Sequence, residues 1–299
     1  MILKKELIFG GYQGPQSIHT QSANDFLKNI NDKFNTTFIM DVTSNNDLAS
    51  SLIDKTINEE IHSSYLLSSY YEKIIPEIKL LDLPYLFKNR NEAYKLLETN
   101  FFKYINDILK KNNLTLLGFW DNGVRHLSSK IKSIIIPDDC ENQVLRTTPS
   151  PLHINIFKSI GFIPKPLDVR DFKIAIKEDT IDAQENPLTN YWNFGIYKKQ
   201  KFVTLSSHMI GFCLFVINSD YFEKLTIEEK KCIINSSKKS NIFQRTLAIN
   251  EDDILIEKIK GEGIKISNLS EDNLNQFKKL TQVFHEQYFQ EFPQMKKFI

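Results

Sequence analysis

The sequence predicts an α/β protein, and three observations carry that prediction. Short apolar runs of strand length alternate with amphipathic stretches at helical spacing from the first residues onward. The same alternation restarts after Val124, which implies a second unit built like the first. Finally, Thr226 to about Lys260 contains neither glycine nor proline, and it places Ile227, Ile233, Ile234, Phe243, Leu247, Ile254, Leu255 and Ile259 along one stretch, so a single long helix is expected there.

Taken in order, Leu7 to Phe9 reads as a short buried strand. Ala23, Phe26, Leu27, Ile30 and Phe34 then recur at helical spacing, with capping candidates from His19 to Asn24. Thr37 to Val42 restores a strand, and Asp47 to Ile57 is again helical. Leu80 to Phe87 is apolar but broken by Pro84; a helix is expected over 91–111 and a strand from Leu114 to Trp120. In the second unit, Leu152 to Ser159 and Val169 to Lys177 read as helices flanking a short strand at Lys165 to Leu167. Phe202 to His208 is strand-like, and Gly211 to Asn218 is an apolar strand expected to cross back into the first unit.

Composition narrows the function classes. The chain has 299 residues, 41% hydrophobic and 25% charged, enough for one large or two ordinary domains of a globular protein. Its net charge of +1 supplies no field to recruit nucleic acid or an anionic membrane, so any preference for anions must be local. Cys140, Cys213 and Cys232 lack the number and spacing of a disulfide framework or a zinc site. No run of about 18 apolar residues is present to span a membrane, and the apolar stretch near the start is interrupted by Glu6 and too short for a signal peptide. On the residues alone, a cytoplasmic and an exported protein remain equally compatible. The standard nucleotide, phosphate-loop and zinc-protease signatures are absent, and no nucleophile elbow supports a serine triad.

Four segments point instead to a binding cleft: Asp121-Asn122-Gly123-Val124-Arg125, Leu145-Arg146-Thr147, Asp182-Ala183-Gln184-Glu185-Asn186-Pro187 and Phe202 to His208. In this order they resemble the solute receptors of tripartite ATP-independent periplasmic (TRAP) transporters, a resemblance collinear from about Leu3 to the C-terminus. It implies a two-lobed, periplasmic-binding-protein-like α/β fold with strands crossing between discontinuous lobes and a long helix spanning both. The lobes are expected at 1–123 plus 214–253 and at 124–213 plus 254–299. It further implies no covalent chemistry and no cofactor or metal; a periplasmic location, with any signal peptide lying outside this sequence; and delivery of a small organic acid to membrane permease subunits. The expected mechanism is hinge closure. A sensory module that presents the same ligand to a signalling partner, or an enzyme on the same fold, are the rival readings.

Among the candidate site residues Arg146 leads. A guanidinium keeps its charge at any physiological pH and matches a carboxylate through two parallel hydrogen bonds. The resemblance assigns this arginine to the ligand carboxylate, although Asn142-Gln143-Val144 replaces the usual Gly-Leu-Lys before it. Arg125 follows Gly123, whose freedom permits a tight turn; it is expected to make a second carboxylate contact, a water-mediated one, or a salt bridge. Asn186, held extended by Pro187, can orient a polar group or cap the following helix, while Asp182 and Glu185 are expected to bond backbone or the arginines. Gln13 is expected at the cleft rim, and His62, Ser63, Ser64 and Tyr65 in a loop of polar ligand contacts. Trp120 and Asp121 are placed at the carboxyl end of a strand. Val169 stands where an aromatic is frequent in the family. Tyr191, Trp192 and His208 complete the set. The expected ligand is a carboxylate: a dicarboxylate, a hydroxy or keto acid, a sugar acid, or a carboxylate with another polar group.

Overall fold

Strand β1 (Lys5–Gly10) is followed by helix α1 (Ile18–Ile30) and strand β2 (Phe34–Ile39), and the two strands pair in parallel, as a βαβ unit requires. In this computed structural model, which describes residues 4–299, the first three residues of the expected first lobe, and with them Leu3 at the start of the collinear resemblance, lie outside the described residues. Ser17 caps α1, just upstream of the expected capping stretch, and Phe34 opens β2 instead of ending the helix. Helix α2 (Ser51–Ile57) and strand β3 (Ser63–Leu67) follow.

The helix expected over 91–111 is two: α3 (Arg90–Leu97) and α4 (Asn100–Lys110). Thr99 separates them, because its hydroxyl accepts from the Phe101 N–H and starts a new helix. Strand β4 (Leu114–Ser129) does not stop at Trp120; it runs antiparallel to β8 (Phe202–Asn218), which joins the two strand-like segments on either side of Gly211. Between them the chain forms β5 (Val144–Thr147), α5 (Pro151–Ser159), β6 (Ile163–Pro166), α6 (Val169–Lys177), β7 (Ala183–Pro187) and α7 (Leu188–Asn193). One sheet results, ordered β2-β1-β3-β8-β4-β7-β5-β6, with the long β4 and β8 carrying it from one half of the molecule to the other.

Gly123 is not in a turn. It lies within β4 at φ +109°, where the register with β8 shifts between Asp121 and Gly123, and a Cβ there would meet the Pro187 Cβ at 2.6 Å. Its partner across the pair is Gly211. The bend of the crossing strands therefore falls where both chains lack a side chain.

After the short α8 (Ser219–Glu223), helix α9 (Ile227–Gly261) runs unbroken for 35 residues, opened by a reciprocal cap between Thr226 and Glu229. Its first half bonds α1 through Ser240 Oγ to Ser22 O at 2.9 Å; farther along, Leu255 and Ile259 join Phe172, Leu188 and Tyr191 in a second apolar core. The main core gathers Phe9, Phe26, Tyr65, Trp120 and Phe215. Strand β9 (Lys265–Asn268) adds to β8 in parallel, and α10 (Glu271–Glu291) contributes Phe277, Phe284 and Tyr288 to the main core. Among the described residues no helix is long and apolar enough to cross a membrane.

Candidate functional site

Arg146 projects from β5 and is 2% exposed. Its Nε and Nη2 donate to one acceptor, the Leu167 carbonyl, at 3.0 and 2.5 Å, and the Phe172 ring lies 4.3 Å from its guanidinium carbon. Both neighbours are neutral. Among the described residues no carboxylate forms an ion pair with it, so burial draws its pKa below the ordinary arginine value, only partly opposed by Tyr70 and Glu185 nearby.

Arg125 is in the opposite situation. Its Nε and Nη2 grip the two Glu185 oxygens at 2.5 and 2.7 Å, and Nη2 also donates to the Glu185 carbonyl at 3.1 Å. Burial opposes ionisation of both partners, yet their mutual attraction prevails: the Arg125 pKa is raised, and Glu185 is held well below the usual carboxylate range by Arg125 and the adjoining histidines. Arg125 Nη1 is buried and has no hydrogen-bond partner in the protein. Buried donors of this kind are costly unless something meets them.

Around these two arginines stand further titratable groups. His153 Nδ1 meets Thr148 Oγ1 at 3.0 Å, while its ring nitrogens lie 3.8 Å from Asp82 and 3.9 Å from Glu185, ion-pair distances too long for hydrogen bonds. Burial depresses the His153 pKa, but the two carboxylates carry it up to about 9. His208 backs Glu185 at 3.4 Å and bonds Ser206 Oγ at 2.8 Å; burial keeps its pKa low. Glu72 accepts from Ser150 Oγ at 2.5 Å, and burial raises its carboxyl to about 7.

The two halves of the molecule meet directly at this site. Asp168, the N-cap of α6, accepts from the Ala49 and Ser50 amides at 2.8 and 3.1 Å as well as from Arg170 N in its own helix. Lys173 reaches Asp41 at 2.7 Å, and Gln13 donates to Asn190 at 3.3 Å. The structure is thus a closed form. Within it the hydroxyls of Tyr65, Ser69, Tyr70 and Tyr71 are buried without partners. Tyr70 stands beside Arg146 and Asp168, and Tyr12, which adjoins Tyr65 and Tyr70, lies within electrostatic reach of Arg125.

Of the residues singled out in the sequence, Arg146, Arg125, Tyr65, Val169, Gln13 and Asn186 come to this junction. Val169 opens α6 beside Tyr70. Asn186 donates to Gln184 at 2.6 Å and accepts from Asn190 at 3.1 Å; the cap of α7 is Pro187 instead. His208 reaches it from behind, against Glu185, and the other residues are occupied elsewhere. Residues 63–67 are strand, not loop: Ser63 bonds Val216 O, Ser64 bonds Thr56, and His62 receives the Ile8 amide at 2.8 Å and packs on Tyr221. Trp120 and Asp121 lie inside β4, not after it. Trp120 packs among Phe9, Tyr65 and Phe215 with Nε1 on Asn241, and Asp121 is filled by Arg90, Tyr94 and the Gly123 amide. Tyr191 donates to Gln200 O at 2.6 Å in the second core, and Trp192 stacks on Tyr197. Asp182 accepts the Val144 amide and pairs with Lys130.

Sequence reasoning passed over Tyr70, Glu72, Asp82, His153 and Asp168. Asp168 before an amphipathic stretch was readable as a helix cap, but its grip on Ala49 and Ser50 joins residues far apart in sequence. The chemistry on offer is recognition: a guanidinium without an anion, with the partnerless Tyr70 hydroxyl beside it, and among the described residues no cluster of three or more His, Cys, Asp or Glu arranged to hold a metal.

Comparison with known proteins gives this geometry its setting. A family model described as DctP, bacterial extracellular solute-binding protein, family 7, matches residues 9–291. The 2,3-diketo-L-gulonate-binding periplasmic protein YiaO of Escherichia coli is 29% identical over 67% of this chain and 61% of its own length. The C4-dicarboxylate-binding protein DctB of Bacillus subtilis is 26% identical over 89% of this chain and 77% of its own. Among solved structures, a TRAP periplasmic solute-binding protein from Sulfurospirillum deleyianum with bound succinate superposes with a TM-score of 0.92 at 23% identity, covering 99% of both chains. The sugar acid binding protein DctPAm of Advenella mimigardefordensis, in complex with galactonate, gives 0.92 at 22% identity over 97% of this chain and 94% of its own. Sequence and fold agree: the chain belongs to the DctP family of bacterial extracellular solute-binding proteins, the receptors of TRAP transporters.

Proposed function

We propose that the protein captures a small organic acid between its halves, with Arg146 as the carboxylate clamp, and presents the closed form to a TRAP-type membrane permease. The observation that carries this reading is the buried Arg146 guanidinium, held by one carbonyl and an aromatic face while the charge of Arg125 is already answered by Glu185. A buried cation without an anion is unfavourable in the empty closed state, so a carboxylate that completes it favours closure. Relatives named for 2,3-diketo-L-gulonate and C4-dicarboxylates support the ligand class. The lobes are taken as 1–123 with 214–253 and 124–213 with 254–299; the paired Gly123 and Gly211 support the limit at the crossing strands, whereas α10 is also tied to the first lobe, Tyr288 donating to the Glu77 carbonyl at 2.7 Å. Arg125, Asn186, Gln13, Tyr65 and Val169 are taken as secondary contacts or supports.

A thermal-shift screen of organic acids identifies the ligand, since a compound at 100 times its dissociation constant adds about 2.7 kcal/mol to native stability. Isothermal titration of Arg146→Ala and Arg146→Lys then tests the clamp. Each should lose roughly 2–5 kcal/mol of binding, the lysine less than the alanine because it keeps the charge without the fork. If Arg146→Ala stays folded and binds within about threefold of wild type, ~0.7 kcal/mol, the clamp assignment fails.

A further inference from the structure

We infer that the cleft accepts a ligand with one carboxylate and a neutral, hydroxyl-bearing remainder, and rejects the dicarboxylate of the same skeleton; the inference rests on the proposed function and narrows its ligand class. The argument is a count of buried charges. Three fully buried cationic groups belong to this site, Arg146, Arg125 and His153, while Lys173 at the junction is already taken by Asp41. Two carboxylates already answer two of them, Glu185 through its bidentate grip on Arg125 and Asp82 at 3.8 Å from His153. Only Arg146 is left for the ligand.

A second ligand carboxylate would find no cation without a carboxylate neighbour of its own, although Arg125 Nη1 and His153 Nε2 each lack a hydrogen-bond partner. It would instead approach Glu185, Asp82 and Asp168, joined by Glu72 once pH passes about 7, in a site where low dielectric strengthens like-charge repulsion. Asp168 takes three backbone amides and Glu72 the Ser150 hydroxyl, so neither can turn away from a new anion without breaking a contact between the two halves. The groups that lack partners tell the same story from the other side. Tyr65, Tyr70, Tyr71 and Ser69 offer hydroxyls, Arg125 Nη1 offers two N–H groups, and His153 Nε2 and the Asn122 side-chain amide are partnerless as well. Hydroxyls both donate and accept, which suits ligand hydroxyl or keto oxygens. A neutral polar chain would satisfy them, whereas a second carboxylate can only accept and brings its charge with it.

The test is titration calorimetry on the whole protein with skeleton-matched pairs: glycerate and tartronate, threonate and tartrate, gluconate and glucarate, galactonate and galactarate. Within the pair that binds, the monocarboxylate should bind at least tenfold more tightly. Glu185→Gln releases the Arg125 charge and should narrow or reverse that preference, while Gln keeps an acceptor for the guanidinium. Tighter binding of the dicarboxylate by wild type overturns the inference and leaves the carboxylate reading standing. So does a preference unchanged in a folded Glu185→Gln protein, because the charge count would then not be its cause. If no member of any pair binds, the carboxylate reading fails and the inference falls with it.

Discussion

Removing the Asp168 carboxylate should weaken ligand binding even though that carboxylate makes no contact with Arg146. Asp168 holds Ala49 and Ser50 across the junction at 2.8 and 3.1 Å, is 7% exposed, and caps its own helix through Arg170 N. Hydrogen bonds to a charged group contribute about 1.5–3 kcal/mol each. In the open form water replaces the two cross-junction bonds, so their loss falls on the closing equilibrium and not on the fold. Taking the lower part of that range for a pair sharing one carboxylate gives a closing penalty of about 2–4 kcal/mol, roughly a 30- to 1,000-fold rise in apparent dissociation constant. The cap is a separate contribution: Asp168→Ala should also lose about 1 kcal/mol of unliganded stability, whereas Asp168→Asn, which still caps, should lose much less. Calorimetry with the acid found by screening, beside urea unfolding of both variants without ligand, separates the two effects. Affinity within threefold of wild type in a folded Asp168→Ala protein would show that this contact does not drive closure.

Other outcomes follow from the same geometry. Gly123→Ala forces a side chain into φ +109° against Pro187 at 2.6 Å, so urea unfolding should report a loss of about 2–4 kcal/mol, and less than 0.5 would mean β4 relaxes freely there. Glu72 has its carboxyl raised to about 7, so the native state holds a proton that the unfolded chain releases from about 4.5 upward. Its contribution to stability is therefore full below that range and falls as pH rises toward 7. Glu72→Gln should flatten the wild-type decline across this window by up to about 3 kcal/mol, and parallel stability curves for the two proteins would contradict the assignment. Small-angle scattering should show a smaller radius of gyration under saturating ligand than without it, and an unchanged radius would count against a ligand-driven hinge.

What the sequence made legible was periodicity and local chemistry. Helix α6 falls on its expected limits, and α9 starts and ends within a residue of them, because apolar spacing and caps are local signals. The two long strands were harder to see. Asp121, Asn122 and Arg125 interrupt the apolar run of β4 and imitate a turn, but all three are buried, with Arg90 and Tyr94 answering Asp121, Glu185 answering Arg125, and the Asn122 amide left without a partner. The arginines were found for their chemistry, and Arg125 differs from Arg146 only through a glutamate 60 residues away. Loop positions fared worst. Tyr70 and Glu72 lie just beyond β3, and a shift of a few residues separates groups at the junction from His62, which bonds the Ile8 backbone. Sequence distance does not say which end of a strand faces the ligand.

The way α9 is attached to β4 decides where the molecule can yield. Asn241 receives Trp120 Nε1 and donates to the Leu117 carbonyl, and Gln244 takes the Asp121 amide and returns a bond to its carbonyl. Greasy surfaces can creep past one another in small steps; these amide clasps cannot, because half a residue of slippage breaks every one of them. Ion pairs from Arg245 to Glu98 and from Asp252 to Arg90 extend that fastening, and only three residues on, the helix rests on the second apolar core at Leu255 and Ile259. The strip that joins the two footings is short and free of glycine and proline, so when the jaws part α7 must ride over the helix or the strip must bend, and a helix that looks like inert bracing sets the stiffness of the whole trap.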